Sequence, residues 1–127
     1  PKAQNAAFRI VAFHQAPYSN SSASQTPDQI YGMQGVRDFW VPIFEEQDVD
    51  IVISGHYHSY QRGEHNGITY LVTGGGGSTL LVQEFDVWDW LSLDFVYQYT
   101  MMHREEGRLR FETYDLEDQL IDSFTIE

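Results

Sequence analysis

At 127 residues the chain is expected to form one domain, long enough to bury roughly two thirds of its extended-chain surface. Seven Lys and Arg against 19 Asp and Glu give a formal charge of −12, which argues against binding nucleic acid or anionic membranes through clustered cations. No apolar run approaches the roughly 18 residues of a membrane span. The absence of cysteine excludes disulfides, thiolate zinc sites and thiol nucleophiles, leaving histidine and carboxylate as metal ligands.

Residues 1–7 read as a polar lead-in. No signal peptide is visible, and an opening Pro1 rather than Met suggests a processed or excised piece. Residues 8–13, "FRIVAF", are β-prone and mostly apolar, the pattern of a strand covered on both faces, and they end at His14. The following "QAPYSNSSASQTPDQ" is a long Ser-, Asn- and Pro-rich loop of the kind often kept for function.

Residues 35–47 predict a helix. Val36, Phe39, Trp40, Ile43 and Phe44 form an apolar stripe at helical spacing, and Pro42 must kink that helix or open a new first turn. A strand over 51–54 leads into "SGHYHSYQR". Asn66-Gly67 then signals a type I′ hairpin with residues 68–73 returning. Residues 74–78, "GGGGS", lack the Lys-Ser/Thr of a P-loop and read as a tight turn packed close to a site.

Residues 80–94 are aromatic and acidic without a clean period, a covering loop or a short irregular strand. Phe85, Trp88, Trp90 and Phe95 either cover the sheet or stack on a ligand. The chain closes as a meander over 95–104, 108–115 and 119–126.

His14 and His56 follow two strands separated by a helix. That order predicts parallel strands whose carboxyl ends share one rim, and His58 lies two residues further on. Neutral imidazoles suit Zn, Fe and Mn. In an extended segment His56 and His58 share a face and can hold one ion; in a sharp loop they diverge and can serve two. His65, beside the Asn-Gly turn, reads as exposed, and His103 carries no role. No nucleophile elbow supports a Ser-His hydrolase.

"FHQAPYSNS", "DVDIVISGHYHSYQR" and "GITYLVTGGGGS", in that order, resemble the C-terminal half of calcineurin-like metallophosphoesterases, the purple acid phosphatase branch above all. The resemblance covers most of residues 8–78. It implies an α/β fold, part of a two-sheet β-sandwich flanked by helices, with a C-terminal antiparallel meander. It also implies two metal ions (Fe, Zn or Mn), His14 and His56 on one and His58 on the other. Tyr60 and Arg62 are then second-layer or structural residues. Phosphate esters would be hydrolysed by a metal-bound hydroxide attacking in line. Secretion is consistent with the resemblance, although the sequence assigns no compartment.

The chain departs from that pattern in what it lacks. The family's bridging Asp, its Asn ligand and one catalytic His come from Gly-Asp and Gly-Asn motifs, and neither pair occurs here. Asp28-Gln29 stands where plant-like members carry a His pair near the substrate. The chain is therefore expected to supply the His half of a two-metal site and to be inactive alone. Its partners would be a phosphate-ester substrate and either the N-terminal half of the domain or a second copy. Two alternatives are a single-metal enzyme using all three histidines on Zn or Fe, and a non-catalytic interaction module.

Overall fold

Two parallel strands joined across a helix set the frame. The computed structural model describes residues 5–21, 31–80 and 86–127. Strand β1 (Ile10–Gln15) pairs parallel with β2 (Ile51–Gly55), and helix α1 (Gln34–Glu46) lies between them in the chain. Strand β2 pairs parallel with β4 (Ile68–Thr73). The hairpin strand β3 (Tyr60–His65) lies antiparallel between β4 and β5 (Trp90–Asp94), giving the order β1-β2-β4-β3-β5. A second sheet holds β6 (Gln98–Glu105), β7 (Arg108–Asp115) and β8 (Leu120–Ile126) as an antiparallel meander.

Alternation along the central strands builds two apolar layers. Ile51, Tyr60 and Leu71 face the second sheet and pack with Leu109 and Phe111. Val52, Ile68 and Tyr70 face the other way, onto Val41 and Phe44 of α1 and onto Tyr18. Both faces of β2 and β4 are thus covered, as parallel central strands require. The expected sandwich and meander are both present.

At the hairpin tip Asn66 and Gly67 both have positive φ, 51° and 78°, the signature of a type I′ turn. Pro42 stays inside a single continuous helical element, so neither a second helix start nor a break is needed.

Two expectations are corrected. Strand β1 is not covered on both faces: it is an edge strand, and its residues alternate between exposed and half-buried. The apolar stripe of α1 is not wholly inward either. Val41 and Phe44 are buried, whereas Phe39 and Trp40 remain 64% and 48% exposed. Among the described residues sheet 1 ends at β1, and none of them lies beneath the outer part of that stripe.

The two sheets are also joined by charge. Arg62 on β3 forms a bidentate pair with Asp122 on β8, Nε to Oδ2 at 2.6 Å and a terminal nitrogen to Oδ1 at 3.1 Å. Tyr60 donates its hydroxyl to the same carboxylate at 2.7 Å. The guanidinium also lies 4.8 Å from the centre of the Phe124 ring. Tyr60 and Arg62, two apart on one face of β3, therefore form an inter-sheet clamp with Asp122.

Candidate metal centre

The site grows from the carboxyl ends of β1 and β2. His14 is the next-to-last residue of β1 rather than the residue after it, and His56 immediately follows β2. His56 adopts φ of 65°, a left-handed conformation that a non-glycine residue rarely takes. Two tight backbone bonds follow, Tyr57 N–H to the Gly55 carbonyl at 2.8 Å and Ser59 N–H to the Tyr57 carbonyl at 2.9 Å. The "GHYHS" segment is therefore a sharp double turn. Between the two histidines, Tyr57 is driven into a buried cluster with Ala16 and Val72.

This turn brings His14 and His56 together. His14 Nε2 and His56 Nδ1 lie 3.2 Å apart, with the rings edge to face. Burial pushes the His56 imidazole below its ordinary pKa, and positive charge on His14 or His58 would push it the same way. The lowered pKa favours the neutral imidazole, the form that binds a metal. Its Nε2 is buried and has no hydrogen-bond partner among the described residues.

His58 goes elsewhere. Its Nδ1 lies 2.7 Å from the Thr79 carbonyl oxygen. A carbonyl only accepts, so Nδ1 carries a proton, and in the neutral ring Nε2 keeps the lone pair, the arrangement usual in metal-ligating histidines. Among the described residues, no group of three or more His, Asp or Glu side chains is placed to hold one ion. The backbone between His56 and His58 is thus a sharp loop rather than an extended segment.

The glycine run closes the site from behind. A Cβ on Gly74 would strike the Tyr57 carbonyl, and Gly74 N–H donates to the Ser59 carbonyl at 3.0 Å. That is the tight-turn reading of residues 74–77, not a phosphate cradle.

His65 is corrected. It is half-buried, stacked 4.4 Å from the Tyr18 ring and edge-on to Trp88 and Trp90, and burial lowers its pKa. Register with Ile68 turns its ring onto the aromatic face of sheet 1 rather than into solvent. His103 pairs with Glu112 at 3.2 Å on the second sheet, away from the other histidines. Trp88 and Trp90 pack against the buried core, which favours their covering role, while Asp28, Gln29 and Phe85 lie outside the described residues.

Sequence reasoning missed a buried polar hub. Gln61, fully buried on the face of β3 opposite Tyr60 and Arg62, meets Ser19, Asn20 and Ser21 of the loop after His14, and Ser59 of the turn after His58. Strand alternation put Gln61 on the far face from Tyr60, and the "YSNSS" composition advertised local hydrogen bonding. Nothing in the sequence paired the two. Nor did any signal pair Asp122 with Arg62, 60 positions away.

A mixed sheet covered by a helix on one face and by an antiparallel sheet on the other, with histidines at parallel strand ends, is a calcineurin-like metallophosphoesterase sandwich. Solved structures carry the same fold. The purple acid phosphatase PPD1 from yellow lupin (Lupinus luteus) seeds matches 98% of this chain at a TM-score of 0.78 and 23% identity, over 26% of its own length. GAP50, the anchor in the inner membrane complex of Plasmodium, matches 96% at 0.80 and 17% identity, over 37% of its length.

Sequence comparison points to the branch. Purple acid phosphatase 7 of Arabidopsis thaliana is 31% identical over 91 residues, 69% of this chain but 28% of the plant protein. An uncharacterised protein of Mycobacterium tuberculosis is 34% identical over 53 residues, 42% of this chain and 9% of that protein. No protein-family model matches the chain. The chain has the C-terminal portion of a metallophosphoesterase domain of the purple acid phosphatase-like branch. It spans about a quarter of the length of the first curated relative.

Proposed function

We propose that the chain supplies the histidine half of a two-metal phosphoesterase centre, His14 and His56 to one ion and His58 to its neighbour. The observation that carries this reading is the 3.2 Å approach of His14 Nε2 to His56 Nδ1. Two imidazole nitrogens on one ion at about 2.1 Å stand about 3.0–3.4 Å apart, so the pair needs little rearrangement to chelate. The left-handed His56 supports it as well, because such strain concentrates at functional sites.

Bound divalent or trivalent ions would supply Lewis-acid polarisation of the phosphoryl oxygens. This chain's residues do the rest of what falls to it. Burial favours the unprotonated form of His56, and the Thr79 carbonyl orients the His58 ring through its Nδ1. The histidines offer no bridging carboxylate, so the isolated chain is expected to turn over no phosphate ester.

The test is an aryl phosphate assay with Zn, Mn or Fe supplied, beside calorimetric zinc titration of wild type and His56→Ala. Weak zinc binding that falls at least about tenfold in the variant, without turnover, is the expected result. Robust metal-dependent turnover abolished by His56→Ala would overturn the half-site. Unchanged metal content and stability in His14→Ala and His56→Ala would instead favour a non-catalytic interaction module.

The same proposal extends to the open side of sheet 1. Val11, Phe13, Val36, Trp40 and Phe44 line a groove of about 310 Å³ beside the unpaired edge of β1. Exposed apolar faces of this kind mark contact surfaces, and a parallel edge strand is ordinarily continued by another βα unit. We assign the face to the remainder of the domain, since the chain spans only 28% of its plant relative. A chain extended through the upstream coding sequence should be monomeric, with Trp40 shielded from acrylamide quenching. Self-association that persists in the extended chain and is abolished by Trp40→Asp would make a second copy the occupant.

A further inference from the structure

The Gln61 hub has the position and the polarity to set the geometry of the histidine rim. Asn20 N–H can only donate, and it meets Gln61 Oε1 at 2.8 Å, which fixes the orientation of the carboxamide. Gln61 Nε2 therefore faces Ser19 Oγ at 2.9 Å, Ser21 Oγ at 2.9 Å and Ser59 Oγ at 2.8 Å. Ser59 directly follows His58 in the double turn, while Ser19, Asn20 and Ser21 belong to the loop that leaves His14. One carboxamide thus ties the continuation of the His14 strand to the turn that carries His56 and His58.

The hub reaches a third segment through Asn20. Its side-chain amide donates to the Trp88 carbonyl at 2.8 Å, and its carbonyl oxygen accepts Trp88 N–H at 2.9 Å. Gln61, Ser19, Ser21 and Ser59 are all fully buried. A buried network so fully satisfied specifies one arrangement of the groups it joins.

We infer that Gln61 is a positioning residue: its carboxamide hub holds the His14 segment and the His56–His58 turn in the relative placement that metal binding needs. The inference rests on the metal-centre reading, and its test separates the two. Gln61→Met keeps volume and removes every hydrogen bond. Gln61→Glu keeps the shape and lets the three hydroxyls donate to a carboxylate instead.

The experiment compares zinc affinity by calorimetry, the imidazole 15N–1H signals of the metal-free chains, and thermal melting. Gln61→Met is expected to stay folded, lose about 10- to 100-fold in zinc affinity and shift the His56 and His58 ring signals, with Gln61→Glu returning most of the affinity. Wild-type affinity and ring signals in Gln61→Met would overturn the inference. If wild type binds no zinc, the metal-centre reading fails, and the ring signals alone decide: shifted signals support the hub, unshifted ones overturn it. Should Gln61→Met not fold, Ser21→Ala, which removes one hydroxyl, is read by the same criteria.

Discussion

Asp122→Ala is expected to destabilise the chain in urea unfolding by up to about 3 kcal/mol, the low end of the loss when one partner of a buried ion pair is removed, because this pair is part-buried. The Arg62 and Asp122 side chains are only 16% and 11% exposed. Removing the carboxylate leaves the part-buried guanidinium without its partner and takes away the acceptor of the Tyr60 hydroxyl. The pair also joins β3 to β8, so its loss loosens one sheet from the other. Since single domains are stable by only about 5–15 kcal/mol, such a loss is a large share of the total. A loss below about 1 kcal/mol would show that the pair is solvated and that the clamp is not needed.

The same pair predicts acid sensitivity. Burial pushes the Asp122 carboxyl up, but hydrogen bonds from Arg62 and Tyr60 overrule it and hold the group below the ordinary carboxylate range. A carboxylate with a depressed folded pKa contributes stability that is present above its unfolded value, about 3.9, and lost as pH falls through the folded value. Wild type should therefore lose stability below about pH 4 more steeply than Asp122→Ala. Parallel pH profiles would assign the acid loss to other carboxylates.

The second large effect is expected at Gly74. A Cβ there meets the Tyr57 carbonyl carbon and oxygen, and lies 3.5 Å from the His58 Cα. Backbone cannot turn aside as a flexible side chain can, so Gly74→Ala must push the double turn out of place. Overpacking of this kind costs up to about 3 kcal/mol. Because the displaced backbone carries His56 and His58, zinc affinity should fall together with stability. Gly76→Ala is the internal control: nothing lies within 4 Å of its added Cβ, and a change within about 0.5 kcal/mol is expected. Equal behaviour of the two variants would mean that the glycine run does not brace the turn.

Much of the fold was legible because local chemistry and final structure agree. Asn66-Gly67 demands positive φ twice, which sets a two-residue turn and with it the register of β3 on β4. Continuous apolar character over residues 51–53 matches a strand buried on both faces. The same logic failed at β1, whose apolar residues anticipate neighbours that the edge of this sheet does not provide. His65 misled for a related reason. A residue beside a turn is commonly exposed, and only the packing of Tyr18, Trp88 and Trp90 from distant segments covers it.

The site divides along the same line. Sequence by itself determined the candidate ligands, His14, His56 and His58, and the parallel strand ends that carry them, because strand order and residue type are local properties. It also determined that no Gly-Asp or Gly-Asn motif is present to complete a two-metal set. Only the tertiary structure decided that His56 turns to His14 while His58 turns to Thr79, since that depends on one left-handed residue and two tight backbone bonds. It alone paired Arg62 with Asp122 and gathered three serines around Gln61. Apart from Ser59, two residues from Gln61, such contacts join segments about 40 to 60 residues apart, and hydrogen-bond partners at that separation are selected by packing, which no local pattern encodes.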